Sequence, residues 1–421
     1  MRKALTVILL ANLIAACNSE RPAARLFQET SVECAGDAIP NQFLVKFKNG
    51  SVEVISAPSK VALINGFLTD HLNTIAYAEH DFKVHTSTGG LSPFASKGTA
   101  DNWGAKKIHA ESLWQEGIRG STVTVAIIDS GMDVNHPQLR YRLAKNSGEV
   151  GLDDQGRDKA SNNTDDDKNG LIDDVSGYDF VANRPLDRDY TYHGTHVAGV
   201  IAAEHSDSTA NSASYVQGLA PEARLLPLAF LDDQGSGNIS DAVRALNYAV
   251  SRGAQVINAS WGGTQCSRSL ADAIASLDGL NITFVAAAGN ERLNIDRQLT
   301  YPASLDLPAL LTVGASGQND YMADFSNYGL KSVHLFAPGV DIISTVPGGM
   351  GTLSGTSMAT PFVSGAVALL KSAVPNATNA QIRTALYQSA VRYSDYLNAS
   401  QGRLDLKEAL QQLRQLRADP L

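Results

Sequence analysis

Short runs of apolar residues alternate with longer amphipathic or apolar stretches over most of this chain. A buried strand is indicated where several β-branched residues follow one another, and a helix where small and apolar residues continue for longer. The strands are predicted at 123–128, 224–230, 255–259 and 282–288, and the helices at 197–203, 241–251, 270–276 and 362–370. This alternation predicts an α/β, three-layer fold, with a mostly parallel sheet and helices on both of its faces.

The first hundred residues follow a different pattern. An alternating run at 39–48, a turn at Asn49-Gly50 and a second run at 52–55 predict a hairpin. A helix at 59–68 and strand pieces at 74–77 and 81–85 complete a small α+β domain of residues 39–85. Polar residues 17–38 are predicted to be a linker, and the Gly/Ser/Pro-rich stretch 86–101 a cleavable connector to a main domain at 102–417.

The N-terminus carries a targeting signal. Arg2 and Lys3 precede an apolar run at 4–11, which is too short to span a bilayer, so residues 1–16 are predicted to be a signal peptide. No later apolar run approaches the length of a membrane-spanning helix. The protein is therefore expected to be exported.

Composition narrows the classes of function. Of the 421 residues, 43% are hydrophobic and 18% charged, which is ordinary for globular proteins. A net charge of −9 without a basic cluster argues against nucleic acid as a partner. Three cysteines are too few for a disulfide-rich scaffold.

Three side chains have the types and positions of a nucleophilic site. Asp129 follows the strand at 123–128, His193 begins one helical stretch, and Ser357 precedes another. A serine hydroxyl attacks at neutral pH only when an imidazole takes its proton, and a carboxylate holds that imidazole in the right tautomer. Ser130 is expected to hydrogen-bond the carboxylate. Taken singly, the three residues have structural alternatives: a turn cap, a buried histidine and a helix N-cap.

The motifs around these residues closely resemble those of the subtilisin-like serine proteases, the subtilases, which also share the chain order Asp, His, Ser. The matching segments are Asp129-Ser130-Gly131, His193-Gly194-Thr195-His196 and Gly355-Thr356-Ser357-Met358-Ala359-Thr360-Pro361. The resemblance implies peptide-bond hydrolysis through an acyl-enzyme on Ser357. It also implies that Asn290, after Gly289, directs its amide at the oxyanion beside the backbone N–H of Ser357 and the hydroxyl of Thr356. His196 is expected to be structural.

The same resemblance implies where a peptide substrate binds. Two segments match the edges that clamp a substrate as an added β-strand, namely Ser260-Trp261-Gly262 and Gly235-Ser236-Gly237. Glu291 and Thr300 match positions that line the specificity pocket. Thr300 and the bulky Trp261 are both expected to narrow it.

The domain at 39–85 resembles the propeptide inhibitor of subtilases, whose tail lies in the active site until it is cut. The alternative is an extra β-rich cap. The resemblance implies a secreted serine endopeptidase activated by propeptide cleavage, which acts on proteins or peptides and has its own propeptide as an intramolecular partner. A protease-like binding protein kept inactive by its propeptide is the alternative function. A monomer is expected.

Residues 14–17 resemble a bacterial lipobox, in which small residues precede a lipidated cysteine, here Cys17. The alternative is a plain secretory signal. Asn18 is not the aspartate that retains lipoproteins in the inner membrane. The resemblance therefore implies lipid anchoring at the cell envelope, in the outer membrane if the host has one, and an extracellular location otherwise.

An acidic run at 165–174 places oxygen ligands at alternate positions before Gly170, as calcium loops do. The predicted Ca²⁺ ligands are Asp165, Asp167, Asn169 and Asp173. The alternative is a solvated acidic loop. A second site, which subtilisins build from the motif H-P-D-L, is not expected, because Gln138 replaces the aspartate.

Cys34 and Cys266 remain once Cys17 is lipidated. By the resemblance, the propeptide packs near the helix that follows Cys266, which allows a Cys34–Cys266 disulfide. The alternative is two unpaired thiols.

Overall fold

A computed structural model describes residues 22–27, 38–86, 102–205 and 215–418. The predicted signal peptide, Cys17, Cys34 and nearly all of the connector lie outside these ranges. The described residues divide into two compact units, one of residues 22–27 and 38–81, the other of residues 82–86, 102–205 and 215–418. No helix in the described ranges is both long enough and apolar enough to cross a membrane.

The N-terminal unit is built on a hairpin. Strand β1 (Ala38–Phe47) pairs antiparallel with β2 (Val52–Ser56), and Gly50 adopts a φ of +97° in the turn between them. Helix α1 (Lys60–Leu63) starts at the N-cap Ser59 and continues as a π-helical turn at Ile64–Leu68. The two predicted strand pieces form one continuous strand, β3 (Ile75–Thr86), whose residues from Phe82 onward belong to the other unit.

The core of this unit lies between the hairpin and the helical segment, where Phe43, Leu68 and Ile75 are buried. Phe27, within the predicted linker, is also buried there. Residues 22–27 of the predicted linker therefore supply part of the core, which the polar composition of the linker did not indicate.

The C-terminal unit has the remaining strands and helices. Its strands are β4 Thr124–Asp129, β5 Tyr178–Asp179, β6 Arg184–Pro185, β7 Arg224–Ala229, β8 Ser236–Asn238, β9 Val256–Ala259, β10 Trp261–Gly262, β11 Thr283–Ala287, β12 Leu310–Ser316, β13 Leu335–Pro338, β14 Ile342–Val346, β15 Gly349–Leu353, β16 Val391–Arg392 and β17 Gly402–Arg403. Its helices are α2 Trp103–Lys107, α3 Ala110–Gln115, α4 His193–Ala202, α5 Ile239–Ser251, α6 Arg268–Ser276, α7 Thr356–Ala373, α8 Asn379–Ser389 and α9 Leu406–Ala418.

Ten of these strands form one sheet, in the order β16-β17-β13-β12-β11-β9-β4-β7-β5-β6. Pairing is parallel from β17 through β5 and antiparallel at the two edges. The central strands are buried along their length, which explains why they appear in the sequence as continuous apolar runs. The predicted α/β class with a mostly parallel sheet is confirmed.

Helices α4 and α7 pack against each other, and every residue of α4 is buried. Gly199 allows α4 to lie close to β14, since a Cβ at this position would approach the side chains of Thr345 and Ser344 to 2.2 and 2.3 Å. This close packing fixes the depth at which His193, the first residue of α4, is held.

The adjacent parallel strands β11, β9 and β4 end at the same edge of the sheet. Asn290, Ser260 and Asp129 therefore come to this edge, where open α/β sheets bind their ligands.

Candidate active site

Asp129 and His193 form a buried pair at the carboxyl edge of the sheet. The Asp129 Oδ1 lies 2.8 Å from the Nδ1 of His193 and also accepts a 2.7 Å hydrogen bond from the backbone N–H of Ser130. Burial opposes charging of the imidazole, but the charge of Asp129 and its hydrogen bond outweigh burial, so the pKa of His193 lies above its usual value. The pair holds the imidazole with Nε2 facing away from the carboxylate.

Ser357 lies in the first turn of α7, buried like the other two residues. Its Oγ donates a 3.0 Å hydrogen bond to the backbone carbonyl of Ser260, and the Ser260 hydroxyl in turn donates to the carbonyl of Ser357. The Nε2 of His193 makes no hydrogen bond within the described parts of the chain. The Ser357 hydroxyl is therefore hydrogen-bonded to the main chain in this structure.

Asn290 is held by the residue before the serine. Its Oδ1 accepts from both the backbone N–H and the hydroxyl of Thr356, at 2.9 and 3.0 Å. Because two donors fix the oxygen, the amide nitrogen of Asn290 is directed to the other side. The single hydroxyl proton of Thr356 is used in this contact. Thr356 therefore positions the side chain of Asn290.

Asp189, which sequence reasoning missed, holds the residues next to Asp129 and His193 in place. Asp189 accepts hydrogen bonds from the Ser130 hydroxyl and from both the backbone and the hydroxyl of Thr195. The Ser130 side chain thus binds Asp189, while only its main chain binds Asp129. Burial raises the pKa of Asp189, and its negative charge contributes to the raised pKa of His193. In the sequence, nothing distinguishes Asp189 from the nearby Asp187.

His196, one turn further along α4, lies apart from this chemistry. Its Nε2 lies 2.9 Å from the carbonyl of Ile342, and burial lowers its pKa to about 3. The imidazole is therefore neutral at physiological pH and joins α4 to β14.

The two predicted clamp segments hold a strand of the chain itself. Residues 83–86 of β3 pair antiparallel with β8 on one side and with β10 on the other, with His85 opposite both Ser236 and Gly262. The backbone N–H of Thr86 donates to the carbonyl of Gly235, which adopts a φ of +70°. A peptide lies between the two segments in the extended form expected of a substrate.

A cavity of about 300 Å³ opens beneath this strand. Glu291 and Thr300 line it together with Ala288 and Gly289. Glu291 accepts a 2.7 Å hydrogen bond from the Asn327 amide, which fixes its carboxylate near Gly289. Trp261 is not among the lining residues. Its indole N–H donates to the carbonyl of Ile128 and its ring packs edge-on against Phe230, so the side chain does not narrow the cavity.

A cluster of carboxylates lies elsewhere in the acidic insertion. Glu149, Asp167 and Asp174 each place one carboxylate oxygen within 4.8 Å of the others. Glu149 is fully buried, with Oε1 held by the backbone N–H groups of Asp166 and Asp167 and with no hydrogen bond to Oε2 from any described residue. Burial raises its pKa. A buried oxygen of this kind, among other carboxylates, fits a hard cation such as Ca²⁺.

This cluster differs from the predicted ligand set. Asp167 belongs to both, but Asp165 accepts hydrogen bonds from the backbone N–H groups of Asn169 and Gly170. The Asn169 amide donates to Asp167, and Asp173 accepts from the backbone N–H of Asn163. These three residues make hydrogen bonds within the loop, and Asp173 keeps a buried Oδ1 that no described residue hydrogen-bonds. Glu149 lies outside the acidic run, so the spacing within that run could not identify it.

Gln138 occupies the position of the aspartate in the H-P-D-L motif and makes hydrogen bonds to the main chain. Its amide donates to the carbonyls of Glu204 and Val216 and accepts from the backbone N–H of Val216. The neutral side chain of Gln138 therefore links Glu204 to Val216.

Cys266 is disulfide-bonded. It directly precedes Ser267, the N-cap of α6, and its partner lies outside the described residues. The alternative of a free thiol at Cys266 is therefore wrong.

A three-layer α/β fold with a buried aspartate–histidine pair, and with a serine at the start of the helix packed against α4, is typical of serine hydrolases. The family model "Subtilase family" matches residues 120–411, and the chain belongs to this family. It is 33% identical over 341 residues to "Subtilisin E" of Bacillus subtilis (strain 168), which covers 80% of this chain and 76% of that protein. It is also 38% identical over 271 residues to "Intracellular serine protease" of Paenibacillus polymyxa, covering 64% and 72%. The protein is a subtilisin-type serine endopeptidase, as the sequence predicts.

Proposed function

We propose that this endopeptidase cleaves peptide bonds with Asp129, His193 and Ser357, and that Asn290 stabilises the oxyanion. The observation that carries the proposal is the buried 2.8 Å contact between Asp129 and His193, with Ser357 at the N-terminus of the helix packed against α4. His193 Nε2 takes the proton of Ser357 as Oγ attacks the carbonyl carbon, and returns it to the leaving amine. Water, deprotonated by the same nitrogen, then releases the acyl group.

The charges that develop during the reaction indicate the roles of the remaining groups. The imidazolium formed during attack is stabilised by the carboxylate of Asp129, which is acceptor for Nδ1–H. The oxyanion forms beside the N-terminus of α7, where backbone N–H groups point outward and the helix dipole favours negative charge. Thr356 supports this step indirectly, because it orients the amide of Asn290.

Substrates bind as an added strand between β8 and β10, as residues 83–86 do. Backbone hydrogen bonds supply most of this recognition, so many sequences are accepted. The cavity lined by Glu291 and Thr300 receives the side chain next to the scissile bond. Thr300 shortens it, which favours small or medium-sized side chains.

The strand in the cleft is the tail of a propeptide at 39–85, and it is also the first substrate. Trp261 lies opposite Thr86, and Ser357 Oγ bonds the carbonyl of Ser260, the residue before Trp261. Continuing this antiparallel register by one position assigns the attacked carbonyl to Ser87. Autocleavage therefore falls between Ser87 and Thr88, at the start of the connector 86–101.

Wild-type and Ser357→Ala proteins test these assignments together. Wild type treated with a reductant should react with a fluorophosphonate probe and yield a fragment whose N-terminal residue is Thr88. Ser357→Ala should remain unlabelled and full length. A folded Ser357→Ala protein that still matures when refolded alone would overturn the role of Ser357, whereas another N-terminus in the wild type would overturn only the register.

Two further features complete the proposal. A Ca²⁺ ion bound by Glu149, Asp167 and Asp174 stabilises the insertion, since Glu149 Oε2 is a buried carboxylate oxygen without a donor in the described chain.

Lipidation of Cys17 anchors the exported protein to the cell envelope. The lipobox-like residues 14–17 support the anchor, and its expected site is the outer membrane where the host has one.

A further inference from the structure

The disulfide at Cys266 links two parts of the chain that maturation would separate. Apart from Cys266, the sequence contains only Cys17 and Cys34. Both lie before the strand that occupies the cleft, residues 83–86. Any disulfide of Cys266 within the chain therefore crosses the proposed cleavage point between Ser87 and Thr88.

We propose that a Cys34–Cys266 disulfide keeps the N-terminal fragment covalently attached to the protease after maturation, as a tether that reduction opens. The proposal rests on the proposed autocleavage. Lipidation of Cys17 would consume its sulfur as a thioether and leave Cys34 as the partner.

The tether changes how the cleft is regulated. Residues 83–86 fill the cleft and lie on the same fragment as Cys34, so cleavage alone does not allow them to diffuse away. A tethered segment competes at an effective concentration of about 1 mM, which is about 10⁵-fold above that of a fragment released at about 10 nM. The mature enzyme therefore stays inhibited on dilution until the disulfide is opened.

Opening is a balanced exchange with a dithiol reductant. The thiolate of the reductant attacks one sulfur, the Cys34–Cys266 bond breaks, and a second attack releases the reductant as its own disulfide. The reductant gives up two electrons and two protons, and the protein then carries two free thiols, at Cys34 and Cys266. The reverse step, by a thiol–disulfide oxidant, suits an exported protein.

Gels of the matured wild-type protein test the tether directly. We expect a single full-length-sized band without reductant and two bands, the catalytic and N-terminal fragments, with it. Cys34→Ser should give two bands under both conditions, and Cys17→Ser should behave as wild type. Two bands from unreduced wild type would overturn the tether, and the opposite result for the two serine variants would overturn the assignment to Cys34.

A second version of this experiment does not need autocleavage. A recognition sequence for a site-specific protease is inserted between Gly90 and Leu91 of the Ser357→Ala protein, which is then cut by the added protease. Fragments that separate only on reduction support the tether even if Ser357 has no role in maturation. Fragments that separate without reductant contradict it.

Activity provides an independent measurement that a purely structural disulfide would not affect. Mature wild type diluted to about 10 nM should hydrolyse a peptide at least tenfold faster after reductant is added, with the gain growing on further dilution. Mature Cys34→Ser should show the high rate without reductant. An equal rate before and after reduction in wild type would contradict the regulatory role.

Discussion

A single oxygen of Asp129, Oδ1, accepts hydrogen bonds from both the backbone N–H of Ser130 and the Nδ1–H of His193. The neighbouring Ser130 hydroxyl is committed to Asp189, which also binds the first turn of α4 through Thr195. Two carboxylates therefore control the histidine: Asp129 by contact, and Asp189 through the helix that carries it. We treat Asp189 as a positioning residue.

Replacing Asp189 with asparagine should change the pH dependence of the peptidase. The negative charge of Asp189 contributes to the raised pKa of His193, and the base acts in its neutral form, so activity rises as pH increases through this pKa. Removing the charge lowers the pKa, and the acidic limb of the kcat/KM profile should move to lower pH. Loss of a charged hydrogen bond should also reduce kcat/KM about tenfold at neutral pH.

Asp187→Asn is the matched control, because Asp187 is exposed and pairs with Arg184 and Arg188. Its profile should coincide with that of wild type. An Asp189→Asn enzyme whose acidic limb does not move, or moves to higher pH, would contradict the electrostatic role.

At the scale of elements, the acidic insertion shows what sequence spacing can and cannot predict. Alternating oxygens in 165–174 predict cation ligands within that run, and in the structure Asp165 binds the backbone of Asn169 and Gly170. The carboxylate cluster needs Glu149, which a separate 3₁₀ turn at Ser147–Glu149 brings to the loop. A contact between separate segments has no local signal in the sequence.

Chelation should lower the melting temperature of the protein, and Ca²⁺ should restore it. A ligand at 100 times its Kd stabilises the native state by about 2.7 kcal/mol, which corresponds to about 4 °C for a domain of about 300 residues. Glu149→Gln keeps the shape of the side chain but removes its charge, so it should lose most of the calcium response in differential scanning calorimetry.

Asp154→Asn serves as the comparison, since Asp154 is an exposed acid of the same insertion outside the cluster. It should respond to Ca²⁺ as wild type does. If Glu149→Gln also responds fully, the ion is held elsewhere or by other residues.

At the scale of the whole molecule, the parallel sheet, the class of enzyme and the strands that carry Asp129 and Asn290 could be predicted from the sequence. Continuous apolar runs and the residues that follow them are local signals. The role of Thr356 in orienting Asn290 and the position of the Trp261 indole could not be predicted, because both depend on which neighbours tertiary packing supplies. The single strand at Ile75–Thr86 was likewise predicted as two pieces, since its continuity depends on pairing partners distant in sequence.

The lipid anchor and the disulfide together make a prediction for the protein in its envelope. With Cys17 lipidated and Cys34 bonded to Cys266, the mature catalytic fragment, which does not contain Cys17, should sediment with membranes. A reductant should release it into the soluble fraction and leave the N-terminal fragment behind. Cell fractionation in a Gram-negative host, followed by immunoblotting of both fragments, measures this.

Two variants separate the contributions of the anchor and the tether. Cys17→Ser should move both fragments to the soluble fraction, because neither then carries acyl chains. Cys34→Ser should release the catalytic fragment alone, without reductant. If the wild-type catalytic fragment stays with membranes after complete reduction, another attachment holds it. A tether made of one disulfide cannot retain the enzyme once that bond is open.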